Sequence, residues 1–390
     1  MTTSPQPTGP PAPRRHDIFA HLNQFWQRVT DGLEISQLWK QFRADARSSY
    51  RLYQRDFDAR APQRTWRRNF FHTAQELAWA ILEKLTPARR VLLLLGIVLL
   101  VFPAGGFSYH GKSGDLEVQE FDFHFFGGVS LFILLMLEIA DRVVMKRDLE
   151  IARDIQRWLL PAAPPPVQGL AIAFATRAAN TVAGDYYDAF QRPSSETGEP
   201  IFLMAVADVA GKSIPAALLM ATFQASLKTL SETSCSLPEL LAGMNHYACT
   251  NSQSGLRFTT AFVAEFGSVT KNLTYINAGH NAPILQRKSG TVERLSQGGV
   301  PLGILAEGGY RSGNIVFESG DCLVIFTDGL IEAVNELDQE YGEQRLLNLL
   351  QVGAASTPDE LIRLMMSEVD IFVGETPQHD DITCMVVKAA

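Results

Sequence analysis

One stretch of the sequence decides how the C-terminal part of the chain folds, and it reads Ala207-Asp-Val-Ala-Gly-Lys-Ser-Ile-Pro-Ala-Ala-Leu-Leu-Met220. The apolar run from Ile201 to Ala207 is short and continuous, as is typical of a strand buried on both faces. Gly211 allows a sharp turn, and Pro215 suits the first turn of a helix, where its missing N–H would have no partner. Asp208 therefore ends a buried strand. It either caps the turn or lies at the rim of a sheet, within reach of a metal ion or ligand.

The composition gives a first division of the chain. Its 390 residues have room for roughly two or three domains. The net charge is +7 over residues 1–90, −2 over 91–147 and −13 over 148–390. A basic region next to apolar segments favours a membrane surface over nucleic acid as its partner. The four cysteines form no CxxC pair, and they indicate reduced thiols rather than disulfides or a zinc site.

The N-terminal region divides into a tail and a helical part. Residues 1–16 are rich in proline and show no periodicity, which predicts a disordered tail without the features of a secretory signal peptide. Residues 17–90 carry helical apolar patterns and an arginine-rich stretch, and they predict a basic helical region on the cytoplasmic side. They contain no enzyme motif.

Two uncharged stretches predict a membrane hairpin, with helices over 91–109 and 123–140. Each is short against the ~20 residues of a usual spanning helix. Basic residues flank the outer ends, whereas the connecting loop is acidic. The positive-inside rule then places the N-terminus and the C-terminal region in the cytoplasm, in a multi-pass protein of the cell membrane. The alternative is a pair of buried helices in a soluble domain.

A signalling or linker helix is predicted over 141–161, as the continuation of the second apolar segment. Apolar residues recur every seven positions at Leu137, Val144, Ile151 and Trp158. Two to three heptads are too few to assign a coiled coil. The helix at 138–160 either pairs in a homodimer or packs onto the domain that follows. If pairing changes how the downstream site is assembled, the helix would transmit a signal.

The pattern changes after residue 161. Short strands alternate with turns, and four helical stretches lie among them, which predicts a two-layered α+β domain over 162–390.

Four acidic positions in this domain share a setting beside glycine or at a strand end: Asp185, Asp208, Asp328 and Asp380. Clustered carboxylates repel one another, and a bound hard cation relieves that repulsion. All-oxygen ligands favour Mg²⁺ or Mn²⁺, and two such ions bind a phosphate and activate a water. Each aspartate alone is more often a turn or cap residue, so the prediction of a metal site depends on all four aspartates together.

Seven motifs in order make the chain similar to a known family from about Glu150 onward. They are Glu150-Ile-Ala…Leu159-Leu-Pro161, Gly184-Asp-Tyr-Tyr-Asp188, Asp208-Val-Ala-Gly-Lys212, Asn277-Ala-Gly-His-Asn281, Gly299-Val-Pro-Leu-Gly303, Thr327-Asp-Gly329 and Asp380-Asp-Ile-Thr383. The chain resembles the metal-dependent serine/threonine phosphatases (PPM, or protein phosphatase 2C-like). Within them it resembles the bacterial branch that controls sigma-factor regulators, typified by the sporulation stage II E phosphatase.

The resemblance implies a β-sandwich flanked by helices, with two Mn²⁺ or Mg²⁺ ions at one end. Asp208 would bridge both ions, and the Val209 carbonyl would be a ligand of one. Asp185 would serve one metal, while Asp328 and Asp380 would complete the other. Asp188 and Asp381 are second choices. The reaction would be direct attack of a metal-activated water on phosphoserine or phosphothreonine. The substrate would be a phosphorylated anti-anti-sigma-type domain.

Three questions remain open at the level of sequence: whether the domain is active, and what His280 and Lys212 do. The domain could be a catalytically inactive phosphatase-like interaction module in a partner-switching pathway, although the intact acidic positions argue against it. His280 could donate a proton to the leaving alcohol, but a structural loop histidine is the preferred interpretation. Lys212 either meets the substrate phosphate or is a solvated turn lysine.

Overall fold

The computed structural model describes residues 82, 85–101, 105–110, 116–121, 123–193, 200–251 and 257–389. The predictions for residues 1–16, and nearly all of those for 17–90, lie outside these ranges. The chain divides into two compact units, Met1–Ile139 and Ala140–Ala390.

The described residues of the first unit form one helix, a hairpin and the first part of a second helix. Helix α1 (Pro87–Val101) is followed by strands β1 (Gly105–His110) and β2 (Leu116–Phe121), which pair antiparallel. Helix α2 (Phe123–Leu159) then begins. The predicted helix over 91–109 was therefore wrong at its C-terminal end, because the helix ends at Val101 and a strand begins at Gly105. Pro103, Gly105 and Gly106 are poor helix formers.

Helix α2 is the one described helix that is long and apolar enough to cross a membrane, by length and composition. It has 37 residues, and few residues of its apolar window are buried. Helix α1 has 15 residues, which is about 22 Å of helix against a hydrocarbon core of about 30 Å. The structure thus provides one candidate span rather than the predicted pair.

The second unit alternates strands and helices after α2 ends next to Pro161. Its elements are β3 (Leu170–Arg177), β4 (Tyr186–Pro193), β5 (Pro200–Val209), α3 (Ser213–Ser231), α4 (Leu237–Asn251), β6 (Thr259–Gly267), β7 (Asn272–Ala278), β8 (Ile284–Gln286), β9 (Val292–Arg294), β10 (Gly298–Gly299), β11 (Gly313–Val316), β12 (Cys322–Phe326), α5 (Asp328–Ile331), α6 (Glu343–Val352), α7 (Pro358–Val373) and β13 (Ile382–Ala389).

These strands form two sheets. One has the order β10-β7-β6-β5-β4, with β11 also paired to β7, and the other has the order β3-β13-β12-β8-β9. Strands β5, β12 and β13 lie inside their sheets and read as continuous apolar runs. Both faces of these strands must therefore be covered.

Three apolar layers provide that cover. The first contains side chains from both sheets, such as Met204, Phe262, Leu323 and Met385, and forms the centre of a sandwich. The second joins the β5 sheet to α3 and α4, and the third joins the β12 sheet to α6 and α7. The predicted α+β fold with a β-sandwich flanked by helices is confirmed.

Replacing Leu323 tests the central layer. Leu323 is fully buried between the sheets, so Leu323→Ala should lower the free energy of unfolding by about 2–5 kcal/mol through lost burial and a residual cavity. Leu337→Ala is the matched control, since Leu337 is 76% exposed and should change stability by less than about 0.5 kcal/mol. Urea unfolding followed by circular dichroism measures both. Equal stabilities would contradict this layer assignment.

Candidate metal centre

Strand register brings Asp185 and Asp208 to the same end of the first sheet. Strands β4 and β5 are antiparallel, with Tyr186 opposite Ala207. Asp185 comes directly before β4, and Asp208 lies at the end of β5. The start of one strand therefore meets the end of the other.

The second sheet repeats this arrangement with β12 and β13. Phe326 is opposite Cys384, and the Thr327 N–H donates to the Thr383 carbonyl over 3.0 Å. Asp328 follows β12, whereas Asp380 and Asp381 precede β13. These carboxylates again lie at one sheet end.

The two sheet ends form one acidic rim, which we call the carboxylate cluster: Asp185, Asp208, Asp328, Asp380 and Asp381. Burial, together with the negative charges of Asp328, Asp380 and Asp381, raises the pKa of Asp208 to about 7. Burial, followed by the charge of Asp208, raises the pKa of Asp185 well above its ordinary value. Because these charges act between residues of the two sheets, the aspartates predicted from sequence lie close together at this rim.

Thr327 fixes the most buried carboxylate of the cluster. Asp185 is 2% exposed, and its Oδ2 accepts a hydrogen bond from Thr327 Oγ1 over 2.9 Å. The Thr383 N–H in turn donates to Thr327 Oγ1 over 2.9 Å. Sequence analysis did not assign a role to Thr327, although its place in the Thr327-Asp-Gly motif is a signal that could have indicated one.

Asp381 fixes the loop that carries Asp185. Its Oδ1 accepts from the Ala179 N–H over 2.7 Å, and its Oδ2 accepts from the Gly184 N–H over 2.6 Å. A Cβ at Gly184 would lie 3.2 Å from the Val209 carbonyl oxygen, so glycine lets this loop approach the end of β5. A Cβ at Gly329 would lie 2.1 Å from the Asp381 carbonyl oxygen. The glycines of two motifs are therefore needed for close backbone contacts.

Lys212 supplies positive charge at the rim. Its Nζ lies 3.0 Å from Asp380 Oδ2 and donates to the His379 carbonyl over 2.5 Å. The side chain is 48% exposed, so about half of it remains in contact with solvent. It borders a cavity of about 220 Å³ beside the cluster. Other residues that line this cavity include Arg177, Glu332, Gln378, His379 and Asp380.

The cluster is not preassembled as a ligand set. Among the described residues, no three His, Cys, Asp or Glu side chains form a group that could already hold a metal ion. The donors nevertheless fit hard divalent cations, because all are oxygens. The carboxylates of the cluster repel one another, and Lys212 offsets part of this repulsion. A bound cation would reduce it further.

Asp188 lies outside the carboxylate cluster, and its second-choice role in the shell of the site stays a prediction. Its Oδ2 lies 2.7 Å from Lys228 Nζ and accepts from the Tyr186 hydroxyl over 2.7 Å. These contacts occupy the carboxylate within the sheet and α3. Asp381, the other second choice, is part of the cluster.

His280 is buried and belongs to a structural turn. Its backbone N–H donates to Asn277 Oδ1 over 2.7 Å, and its Nδ1 lies 3.2 Å from Thr260 Oγ1. Burial lowers its pKa to about 4, and a contact with the Phe326 backbone offsets this only in part. The imidazole is therefore neutral near pH 7, which agrees with the structural interpretation and not with a general acid.

Comparisons with known proteins give the class of the domain. Residues 201–390 match the family model of Stage II sporulation protein E (SpoIIE). Phosphoserine phosphatase RsbU of Bacillus subtilis is 28% identical over 245 residues, which are 63% of this chain and 70% of RsbU. Protein IcfG of Synechocystis sp. is 26% identical over 280 residues, 65% of this chain but only 43% of IcfG.

A solved structure shares the fold. The SiaA-PP2C domain of Pseudomonas aeruginosa aligns with a TM-score of 0.56 and 20% identity, over 64% of this chain and 99% of that domain. This likeness shows the fold of the C-terminal domain, which is a PP2C-like α+β fold. The sequence matches make the domain similar to the SpoIIE family and to the phosphoserine phosphatase RsbU, and the predicted resemblance is confirmed.

The low pKa of His280 predicts a dependence of stability on pH. Because the folded-state pKa of about 4 lies below the ordinary 6.5, the unfolded chain binds the proton first as the pH falls. His280 thus contributes stability that is present at pH 7 and lost as the pH falls from about 6.5 toward 4, roughly 2 kcal/mol between pH 7 and pH 5.

The His280→Asn variant removes this titration while keeping a hydrogen-bonding group. The difference in unfolding free energy between wild type and variant should therefore shrink from pH 7 to pH 5. Chemical unfolding at the two pH values measures it, and comparison with wild type cancels the opposite contribution of the carboxylate cluster. A difference that is the same at both values would contradict a buried neutral His280.

Proposed function

We propose that this protein is a membrane-anchored serine/threonine phosphatase that dephosphorylates a regulatory protein with the aid of two Mn²⁺ or Mg²⁺ ions. The observation that carries the proposal is the carboxylate cluster, in which both sheets contribute acidic groups to one rim and Asp208 has a pKa of about 7. Such a concentration of negative charge suits divalent cations and the phosphate they bind.

The roles of the ligands follow from position in the cluster. Asp208 interacts with acidic groups of both sheets, so it would bridge the two ions, with the Val209 carbonyl beside it. Asp185 would serve one metal directly or through water, and Asp328 and Asp380 would complete the other. The ions would supply an activated water and stabilise the phosphoryl oxygens.

The protein's own groups orient this site. Thr327 holds Asp185, and Asp381 holds the loop in front of it through two backbone N–H groups. Lys212 is half-exposed and borders the neighbouring cavity. There it can attract a phosphorylated side chain as a point charge. Buried His280 takes no part in proton transfer.

The proposed substrate is a phosphorylated anti-anti-sigma-type domain. Support comes from the SpoIIE family match and from the relative RsbU, which is described as a phosphoserine phosphatase. The C-terminal region carries a net charge of −13 over residues 148–390, which is unsuited to nucleic acid. A protein bearing a single phosphoserine fits the half-open cavity better.

We propose α1 and the apolar part of α2 as the membrane anchor, with the N-terminus and the phosphatase domain in the cytoplasm. The two helices contact each other closely, since a Cβ at Gly127 would lie 3.0 Å from the Gly96 carbonyl oxygen. Ser130 Oγ also donates to the Leu92 carbonyl over 3.0 Å. Small residues and polar contacts of this kind are typical of helix pairs in membranes.

The outer face of α2 would form a homodimer. Val144, Ile151, Ile155 and Trp158 are between 48% and 82% exposed, and a second copy of the same helix would bury them. The heptad repeat of Val144, Ile151 and Trp158 matches a parallel pair.

Adding charge to this face tests the dimer. Ile151→Lys combined with Ile155→Lys should convert a dimer to a monomer in sedimentation of the detergent-solubilised protein, because two ammonium groups would be buried at the interface. Ile371→Lys is the matched control, since Ile371 is 74% exposed on α7, and it should leave the mass unchanged. A monomeric wild type would contradict the dimer.

Asp208→Asn tests the catalytic proposal. The amide keeps the shape of the carboxylate but cannot bridge two cations, so Mn²⁺-dependent phosphate release from a phosphoserine protein should fall by at least about a hundredfold. Asp359→Asn changes an exposed carboxylate at the start of α7 and should keep full activity. Turnover is measured with Mn²⁺ and with chelator.

The outcome separates the two candidate functions. If wild type binds no metal and releases no phosphate from any phosphoserine protein or aryl phosphate, the domain is the inactive interaction module instead. The intact cluster favours the enzyme.

A further inference from the structure

One buried polar side chain of α2 remains without a role in the proposed reaction. Gln156 is 7% exposed, whereas the residues on either side of it are exposed. Its Nε2 donates to the Ala183 carbonyl over 2.7 Å, and its Oε1 accepts from the Ala183 N–H over 3.0 Å. Both polar groups of the side chain thus pair with both backbone polar groups of one residue.

The partner residue lies in the loop that leads to the carboxylate cluster. Gly184 follows it and donates its N–H to Asp381, and Asp185 comes next and accepts from Thr327. Three consecutive residues are therefore each held from a different element: Ala183 by α2, Gly184 by the loop before β13, and Asp185 by the residue after β12. A displacement of α2 would move the first of these supports.

The environment makes this pairing costly to break. Val182 and Ala183 are 2% and 5% exposed, so the buried Ala183 N–H and C=O would lose their hydrogen-bond partner if Gln156 moved away. A buried backbone group without a partner costs about 1–3 kcal/mol. The loop therefore follows the helix rather than separating from it.

We propose that Gln156 is a positioning residue that couples the position of α2 to the Asp185 side of the metal site. The inference rests on the proposed function and adds a specific link between helix and site. It also separates two faces of one helix: Ile151, Ile155 and Trp158 point to solvent, while Gln156 holds the catalytic domain. A change at the outer face would reach Asp185 through Gln156 and Ala183.

The coupling is tested in the full-length protein with Gln156→Met. Methionine has a similar length and remains buried, but it makes neither hydrogen bond. Leu149→Ala is the matched control, because Leu149 is half-buried two turns earlier on the same face of α2 and has no contact with the Asp185 loop among the hydrogen bonds of the described residues. Both variants weaken the packing of α2, and only the first releases Ala183.

Two readouts decide the result. Mn²⁺ titration followed by EPR should show about tenfold weaker binding and an altered spectrum of the bound ion in Gln156→Met, with Leu149→Ala within twofold of wild type. In the metal-free protein, hydrogen exchange of the peptide spanning residues 179–185 should be faster in Gln156→Met only.

Each contrary result has its own meaning. If both variants lower the melting temperature while Mn²⁺ affinity and exchange at 179–185 match wild type, Gln156 is only a packing residue and the inference is wrong. If the two variants change exchange equally, the coupling is not specific to Gln156. A wild type without Mn²⁺ binding contradicts the proposed function instead, and the metal-free exchange still decides the coupling.

Discussion

Repulsion among the carboxyl groups of the cluster is the constraint on which the C-terminal unit depends. Asp185, Asp208, Asp328, Asp380 and Asp381 share one rim, and burial together with the charges of its neighbours raises the pKa of Asp208 to about 7. Such a site is unfavourable to fold, so it exists only because other contacts hold each group in place. Strand pairing in both sheets brings the aspartates to the same end. The Thr327 hydroxyl then holds Asp185, and the backbone N–H of Gly184 holds Asp381. The stable β-sandwich therefore supports a carboxylate cluster whose negative charges are only partly compensated.

The contacts that hold the rim come from distant parts of the sequence. Asp185 is held from position 327, and the loop before it is held from position 381. The backbone can approach closely at these points because glycine lies at Gly184 and Gly329. This explains why short motifs spread over more than two hundred residues act as one site. Each motif supplies either a carboxylate or the close contact that another motif requires.

How much of this could be predicted differs from residue to residue. Asp208 and Asp328 follow continuous apolar strands, so their place at sheet ends could be predicted from sequence pattern. That Asp185 meets them depends on which strands pair, and pairing across long separations is not encoded in a local pattern. Asp188 shares a motif with Asp185, but its carboxylate pairs with Lys228 on α3.

Two other features had weaker or misleading signals. Gln156 lies on a helix whose apolar heptads drew attention to the opposite face, and one polar residue gives no indication that it is buried. The uncharged run over 91–109 predicted a helix by hydropathy, yet helix α1 ends at Val101 and a strand begins at Gly105. Hydropathy indicates that a segment is excluded from water but does not determine its secondary structure. Proline and glycine, which are poor helix formers, follow shortly after the end of this helix.

The most direct test of the central claim is the number of metal ions that the rim binds. Equilibrium dialysis of the full-length protein against Mn²⁺, with metal analysis, should find two ions per chain in wild type. Asp328→Asn should retain about one, because Asp328 belongs to the ligands of a single ion in the proposed arrangement. Two ions in wild type and one in Asp328→Asn would establish the carboxylate cluster as a two-metal site. No bound Mn²⁺, or an unchanged number in Asp328→Asn, would contradict it.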